Sequence, residues 1–303
     1  MASKRACVLK GGISHEREIS LISAKSYEDA LKDLGYEFVS IDTKISFVDI
    51  IDQIAKFNPD VVVNALHGKF GEDGRIQAAL DYMKIPYTYS GVLSSAIAMN
   101  KNFTKIIAEK IGVKTPKSEL LQSFNDIKFE PPFVIKPVDD GSSVGVKLIF
   151  NDEDFNNLKK SDNNGTFLIE EYVKGKELTV GIIDGQPIAV TMINNKRKFY
   201  DYTAKYTSNN DASVHVLPAP VEDVYYQKVM QDTKKVYNAL NLRGVARADF
   251  ILSDENYQLY FLEINTQPGM TPASLVPEQA KYGFGWDMNT LVEKIIKSAK
   301  YDE

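Results

Sequence analysis

The chain has 303 residues, 44% hydrophobic and 25% charged, with 36 Lys and Arg against 41 Asp and Glu for a net charge of −5. That length supports two or three domains with a sizeable core, and the composition excludes a disordered chain. The acidic balance argues against a nucleic-acid surface, a single cysteine excludes an internal disulfide or a cysteine-rich zinc site, and no apolar run approaches the roughly 18 residues of a membrane span. The start "MASKRACVLKGG" turns polar too soon for a signal peptide, so a reducing, cytoplasmic setting is expected.

The first hundred residues alternate strand and helix signals. "ACVLK", "EFVSID", "VVVNAL" and "PYTYS" are short β-branched or aromatic runs that read as strands, with Cys7 a buried residue of the first. Between them "REISLISAKSYEDALKDLG", "SFVDIIDQIAKF" and "EDGRIQAALDYMK" carry helical spacing, the first stopping at Gly35. This alternation predicts a parallel sheet covered on both faces, with its ligand edge beyond the strand C-termini, where "GGISHERE" and "HGKFGEDG" fall.

From Met99 the pattern changes. "NKNFTKIIAEKIG" predicts a helix, "PPFVIKPV" and "GVKLIF" predict strands around "DDGSS", and "NDEDFNNLKK" and "TFLIEEYV" a short helix and a strand. "ELTVGIIDGQPIAVTMI" alternates about Asp184-Gly185, a hairpin signal. Residues 194–220 lack periodicity and predict a long loop. "VYYQKVMQDTKKVYNALNLRG" predicts a helix, "VARADFIL" and "YQLYFLEIN" an antiparallel pair, and "MNTLVEKIIKSAK" an amphipathic helix. The expected fold class is α/β and α+β, with a parallel-sheet βα domain over 1–96 and two α+β portions over 97–183 and 184–303.

Three clusters could carry chemistry. In "VIKPVDDGSSVGVKLI", Lys136 ends a strand and a Gly-Ser loop follows, so backbone N–H groups and the hydroxyls of Ser142 and Ser143 could hold a phosphate; an ordinary hairpin fits as well. It matches neither a Walker loop nor a dinucleotide fingerprint. In "VARADFIL" and "YFLEIN", Arg247 with Asp249 and Glu263 with Asn265 are each two apart, hence on one strand face with Cα atoms roughly 6–7 Å apart. If the strands pair, the three acceptors could surround one or two divalent cations beside Arg247, the alternative being a salt-bridged solvent face. In "FLIEEYVKGKE", backbone groups could meet an adenine edge and Glu177 a ribose.

Taken in order over residues 7–280, "GGISHEREISL", "LHGKFGEDGRIQ", "KPVDDGSSVGV", "FYDYTAKY", "RADF" and "EINTQPGMTPASLVP" resemble the signatures of the D-alanine–D-alanine ligase family, which has a two-part ATP-grasp fold. The resemblance implies ATP as cofactor with two Mg²⁺ or Mn²⁺ ions on Asp249, Glu263 and Asn265. Glu16, linked to Ser142 and Tyr206, would hold the amino group of the first D-alanine, with His67 lining that subsite. Lys101, Lys136 and Ser143 would face the ATP phosphates, Glu170, Glu171, Tyr172 and Val173 the adenine, and Glu177 the ribose. Lys205 would lie near the transferred phosphate, Arg247 and the backbone of Gly269 at the oxyanion, and Ser274 and Leu275 at the second substrate. It also implies a homodimer.

Carboxylate–amine ligation suits this set. A carboxylate is a poor electrophile until phosphorylated, and the resulting acyl phosphate must be kept from water, a task for a lid over 194–220. Gln267 stands where the family often has serine, Glu278-Gln279 replace small or apolar residues, and Asp139-Asp140 precede the glycine loop. Ligases that join D-alanine to D-lactate differ at the loop tyrosine, so Tyr206 favours an amino-acid acceptor.

Overall fold

The computed structural model describes residues 4–124, 127–141, 144–159, 166–194 and 214–302. The chain opens with β1 (Arg5–Lys10), α1 (Arg17–Asp33), β2 (Glu37–Asp42), α2 (Phe47–Phe57) and β3 (Val61–Asn64), whose strands form a parallel sheet ordered β2-β1-β3. Alternate residues of β1 enter different cores. Ala6 and Val8 pack with Tyr27 and Leu31 of α1, whereas Cys7 and Leu9 pack with Ile50 and Ile54 of α2. The sheet is therefore covered on both faces, as its unbroken apolar strands require.

α3 (Arg75–Tyr82) begins later than its sequence pattern, because Gly74 sits at φ +91° and cannot join a helix. The expected strand in "PYTYS" is reduced to bridges from Tyr87 to Val62 and Lys300. Pro86 has no N–H to extend the ladder, and Tyr89 turns to φ +73°.

α4 (Val92–Met99) and α5 (Lys101–Lys110) follow, separated by Asn100, whose side chain caps α5 by accepting from the Phe103 N–H at 3.1 Å. Next come β4 (Ser118–Leu121), β5 (Phe133–Pro137), β6 (Lys147–Ile149), α6 (Asp152–Lys159) and β7 (Phe167–Glu171), an antiparallel sheet ordered β4-β7-β5-β6.

The third sheet contains β8 (Gly175–Ile183), β9 (Gln186–Asn194), β10 (Val214–Val216), β11 (Val245–Ser253) and β12 (Leu259–Asn265) in the order β10-β9-β8-β11-β12. Asp184 and Gly185, at φ +46° and +77°, make the expected β8–β9 turn. The division expected after Ile183 thus falls at the tip of a hairpin whose two strands share one sheet. One face of this sheet, carrying Leu178, Val180, Ala246, Ala248 and Phe250, packs on α5 and on α7 (Asp223–Ala239).

Finally α8 (Leu275–Phe284) and α9 (Met288–Lys297) return to the N-terminal sheet. Leu291, Val292, Ile295 and Ile296 bury one stripe of α9 in the core that holds Ala6, Val8 and Tyr27, so the chain end locks onto its beginning. No helix among the described residues is long and apolar enough to cross a membrane.

Candidate active site

All three sheets contribute to one cavity of about 1070 Å³. Its N-terminal side is built from the loops after β1 and β3, at the C-terminal edge of the parallel sheet. Glu16, at the N-cap position of α1, is buried there. A Cβ added to Gly68 or to Gly141 would stand 3.0 Å from its Oε2, so a side chain at either would crowd the carboxylate, and Gly68 is further held to glycine by its φ of +72°. His67 lies beneath, with Nδ1 3.1 Å from Glu72 Oε1 and Nε2 3.3 Å from Ser23 Oγ. Burial pushes the Glu72 carboxyl up to about 7, and the charge of Glu16 adds to this against the opposing pull of His67. Burial lowers the His67 pKa, but Glu72 and Glu16 reverse that and leave it raised.

The central sheet supplies the second wall. Lys101 Nζ donates to the Asp140 carbonyl at 2.5 Å and lies 3.3 Å from Glu263 Oε2, so it joins the Gly-Ser loop to the end of β12. Lys136 Nζ is 2.8 Å from Glu170 Oε2, and Lys105 Nζ is 2.7 Å from Glu170 Oε1. Glu170, Glu171, Tyr172 and Val173 line the same cavity with Glu177, beside an apolar slot of Val134, Val146, Leu148 and Leu262. Sequence reading missed Lys105, although it lies one turn from Lys101 on the buried stripe of α5 with Thr104 and Ala108.

The third wall is the β11–β12 pair. Arg247 registers with Asn265 and Asp249 with Glu263. A bulge at this point sets Leu262 out of step. Leu259 and Phe261 point into the α7 core, and simple alternation would send Glu263 after them. The extra residue turns Glu263 and Asn265 to the cavity instead and leaves Ile264 in the core. Arg247 donates from Nε and Nη2 to both oxygens of Asp249, at 3.0 and 2.8 Å, and Thr179 Oγ1 donates to Asp249 Oδ1 at 2.5 Å. The face lines the cavity and is no open solvent surface.

Gly269, Ser274 and Leu275 close the cavity between β12 and α8, where the Thr271 N–H donates to Ser274 Oγ at 3.0 Å. The cavity therefore brings together every described residue that the sequence singled out. Ser142, Ser143, Lys205 and Tyr206 lie outside the described residues, as do residues 195–213 of the expected lid.

A parallel βα domain leading into two antiparallel sheets, with Lys136 and Glu170 on one and Arg247, Asp249 and Glu263 on the other around a shared cavity, defines an ATP-grasp ligase. The family model described as D-ala D-ala ligase C-terminus matches residues 98–297, and that for the D-ala D-ala ligase N-terminus matches residues 43–90. A D-alanine–D-alanine ligase of Rickettsia canadensis (strain McKiel) is 41% identical over 304 residues, which cover 99% of this chain and 84% of the relative. The crystal structure of D-alanine–D-alanine ligase from Bacillus anthracis superposes with a TM-score of 0.85 at 33% identity, covering 98% of this chain and 97% of that one. The same enzyme complexed with ATP superposes at 0.83 and 32% identity, with the same coverage. The chain belongs to the D-alanine–D-alanine ligase family.

Proposed function

We propose that this protein joins two D-alanine molecules into D-alanyl-D-alanine with ATP, through an acyl phosphate, as a precursor for peptidoglycan. The observation that carries this reading is the single cavity in which a lysine–glutamate wall, a carboxylate–arginine wall and the Glu16–His67 pocket face one another. Full-length relatedness to ligases of that name supports it.

The apolar slot of Val134, Val146, Leu148 and Leu262 fits a flat base, with the Glu170–Val173 strand end beside its polar edge and Glu177 at the ribose. Lys101 and Lys136 then face the phosphates. Asp249, Glu263 and Asn265 offer two carboxylates and one amide oxygen on one sheet face, a hard-oxygen set that fits Mg²⁺ or Mn²⁺. Bound there, two such ions would neutralise charge on the transferred phosphoryl group.

Glu16, with Ser142 and Tyr206 as its expected partners, holds the first D-alanine by its ammonium group. The carboxylate oxygen attacks the γ-phosphorus, and ADP leaves with the electron pair of the broken P–O bond. The amine of the second D-alanine, oriented by Ser274 and Leu275, attacks the acyl carbon. The acyl C–O bond then breaks with its electron pair on oxygen, and inorganic phosphate departs carrying the proton that the amine gives up. Asp249 holds the Arg247 guanidinium by two nitrogens, so it meets the tetrahedral oxyanion already oriented, together with the Gly269 N–H. Such a donor is worth about 3 kcal/mol of transition-state stabilisation. Lys205 acts near the phosphoryl group, Ser143 on the phosphates, and residues 195–213 as the lid, since Asn194 and Val214–Val216 of the expected 194–220 loop pair in the third sheet instead. The same reading makes the protein a cytoplasmic homodimer, which sedimentation would test.

The test of function is ADP release with ATP and Mg²⁺, offering D-alanine, L-alanine, or D-alanine with D-lactate, and identifying products by mass. D-alanine-dependent ADP release with a D-alanyl dipeptide product is expected. Turnover only with another acid–amine pair would discard the substrate and keep the ligase chemistry, and ATP binding without turnover on any pair would discard both.

A further inference from the structure

At the nucleotide end of the cavity, three charged side chains are packed together and largely buried. Glu170 on β7 is 3% exposed, Lys105 on α5 is 2%, and Lys136 on β5 is 8%. The carboxylate is held from both sides, by Lys105 at Oε1 and Lys136 at Oε2. Glu170 and Lys136 line the cavity, and Lys105 stands behind them. Its ammonium lies close to Oε1 but off hydrogen-bonding alignment, so Oε1 retains acceptor capacity.

Two ammonium groups on one buried carboxylate exceed what neutrality needs. Burial pushes Lys105 down to about 8, and although burial works the other way on Glu170, Lys136 and Lys105 together hold its carboxyl below the ordinary value. The surplus makes sense if one lysine has to leave. Lys136 lines the cavity and can turn to a phosphate, whereas Lys105 does not line it.

We propose that Lys105 is a positioning residue for the nucleotide: it is the standing counter-ion of Glu170, which lets Lys136 exchange Glu170 for the ATP phosphates while Glu170 stays anionic beside the base. An anionic acceptor there favours a base presenting an exocyclic amino group, as adenine does, and repels the carbonyl oxygen that guanine presents instead. Without Lys105, moving Lys136 would strand a buried carboxylate, so Lys136 would stay on Glu170 and the phosphates would lose it. The inference rests on the ATP-dependent reading above.

The experiment compares full-length wild type, Lys105→Met, Lys105→Arg, Glu170→Gln and the Lys105→Met/Glu170→Gln double variant. For each, kcat and the KM values for ATP, GTP and D-alanine are measured, with ATP binding by calorimetry. Lys105→Met is expected to raise KM for ATP about tenfold or more, to narrow the preference for ATP over GTP, and to leave KM for D-alanine within about twofold. Lys105→Arg should recover most of the loss, and the double variant should be no worse than Glu170→Gln alone. Wild-type ATP parameters in Lys105→Met, or losses that simply add in the double variant, would overturn the proposal. If Lys105→Met fails to fold, Lys105→Arg and the double variant against Glu170→Gln decide by the same criteria. Failure of the wild type to release ADP with D-alanine would sink the functional reading instead, and calorimetry with ATP would still judge Lys105.

Discussion

Asn64 and Gln267, 203 residues apart in the chain, are hydrogen-bonded in the buried interior: Asn64 Nδ2 donates to Gln267 Oε1 at 3.0 Å. Gln267 Nε2 in turn donates to the Leu66 carbonyl, and the Gln267 N–H donates to Asn265 Oδ1 at 2.7 Å. The loop after β3, which carries His67, is thereby tied to the end of β12, which carries Asn265.

Gln267→Leu should therefore lower stability by about 1–3 kcal/mol, since Asn64 and Leu66 would keep polar groups buried with a partner removed. Because the tie joins the D-alanine side to the β12 loop, KM for D-alanine should rise more than KM for ATP. Urea unfolding and steady-state kinetics on the same preparation test both parts, and equal rises in the two KM values would contradict this assignment.

Gln279 acts similarly at the β8 bulge. The β8–β9 register slips between Val180 and Ile182, and the Gly181 N–H, deprived of a strand partner, donates to Gln279 Oε1 at 2.6 Å. Gln279 Nε2 donates to the Thr179 carbonyl at 3.0 Å and to Thr191 Oγ1 at 2.9 Å. Gln279→Leu should cost about 3 kcal/mol by stranding these buried groups, a larger loss than Gln279→Glu. Chemical unfolding of the two variants checks the order.

Much of this architecture is legible in the sequence. The β/α alternation, the Asp184-Gly185 hairpin and the pairing of "VARADFIL" with "YQLYFLEIN" all follow from periodicity and turn chemistry. The elements that were missed break those rules. α4 buries Ser94 and Ser95, so it lacks an apolar stripe, β4 is only four residues, too short to show alternation, and α8 carries Pro277 in its first turn, where proline is tolerated although it reads as a stop. β10 lies at the edge of a stretch with no periodicity. In the site, strand alternation placed Arg247 with Asp249 and Glu263 with Asn265 on one face. The bulge that turns Glu263 from the Phe261 side to the cavity has no signal in composition. The roles of Lys105, Gln267 and Gln279 were not legible, because their partners come from distant segments.

Glu263→Gln removes one charge while keeping shape and burial. Lys101 would lose its ion pair at 3.3 Å, and the proposed metal set would lose a carboxylate. Turnover should fall about a hundredfold or more, with the unfolding midpoint little changed, because the side chain is only part-buried. Activity within a few-fold of wild type would remove Glu263 from the metal site.

Glu72 predicts a pH dependence whose sign is set by linkage. Unfolded, its carboxyl loses a proton near the ordinary 4.5, whereas folded it holds the proton to about 7, chiefly because it is buried. Between those values the folded state binds more protons, so stability falls as pH rises, and the whole loss is present above about 7. His67, also raised, loses its stabilising charge in the same direction. Glu72→Gln removes the carboxyl and lowers the raised His67 in one step. Relative to that variant, wild type should lose about 3 kcal/mol of unfolding free energy between pH ~5 and ~8. Urea midpoints for both proteins across that range measure the difference directly, and parallel curves would show that Glu72 ionises normally beside His67.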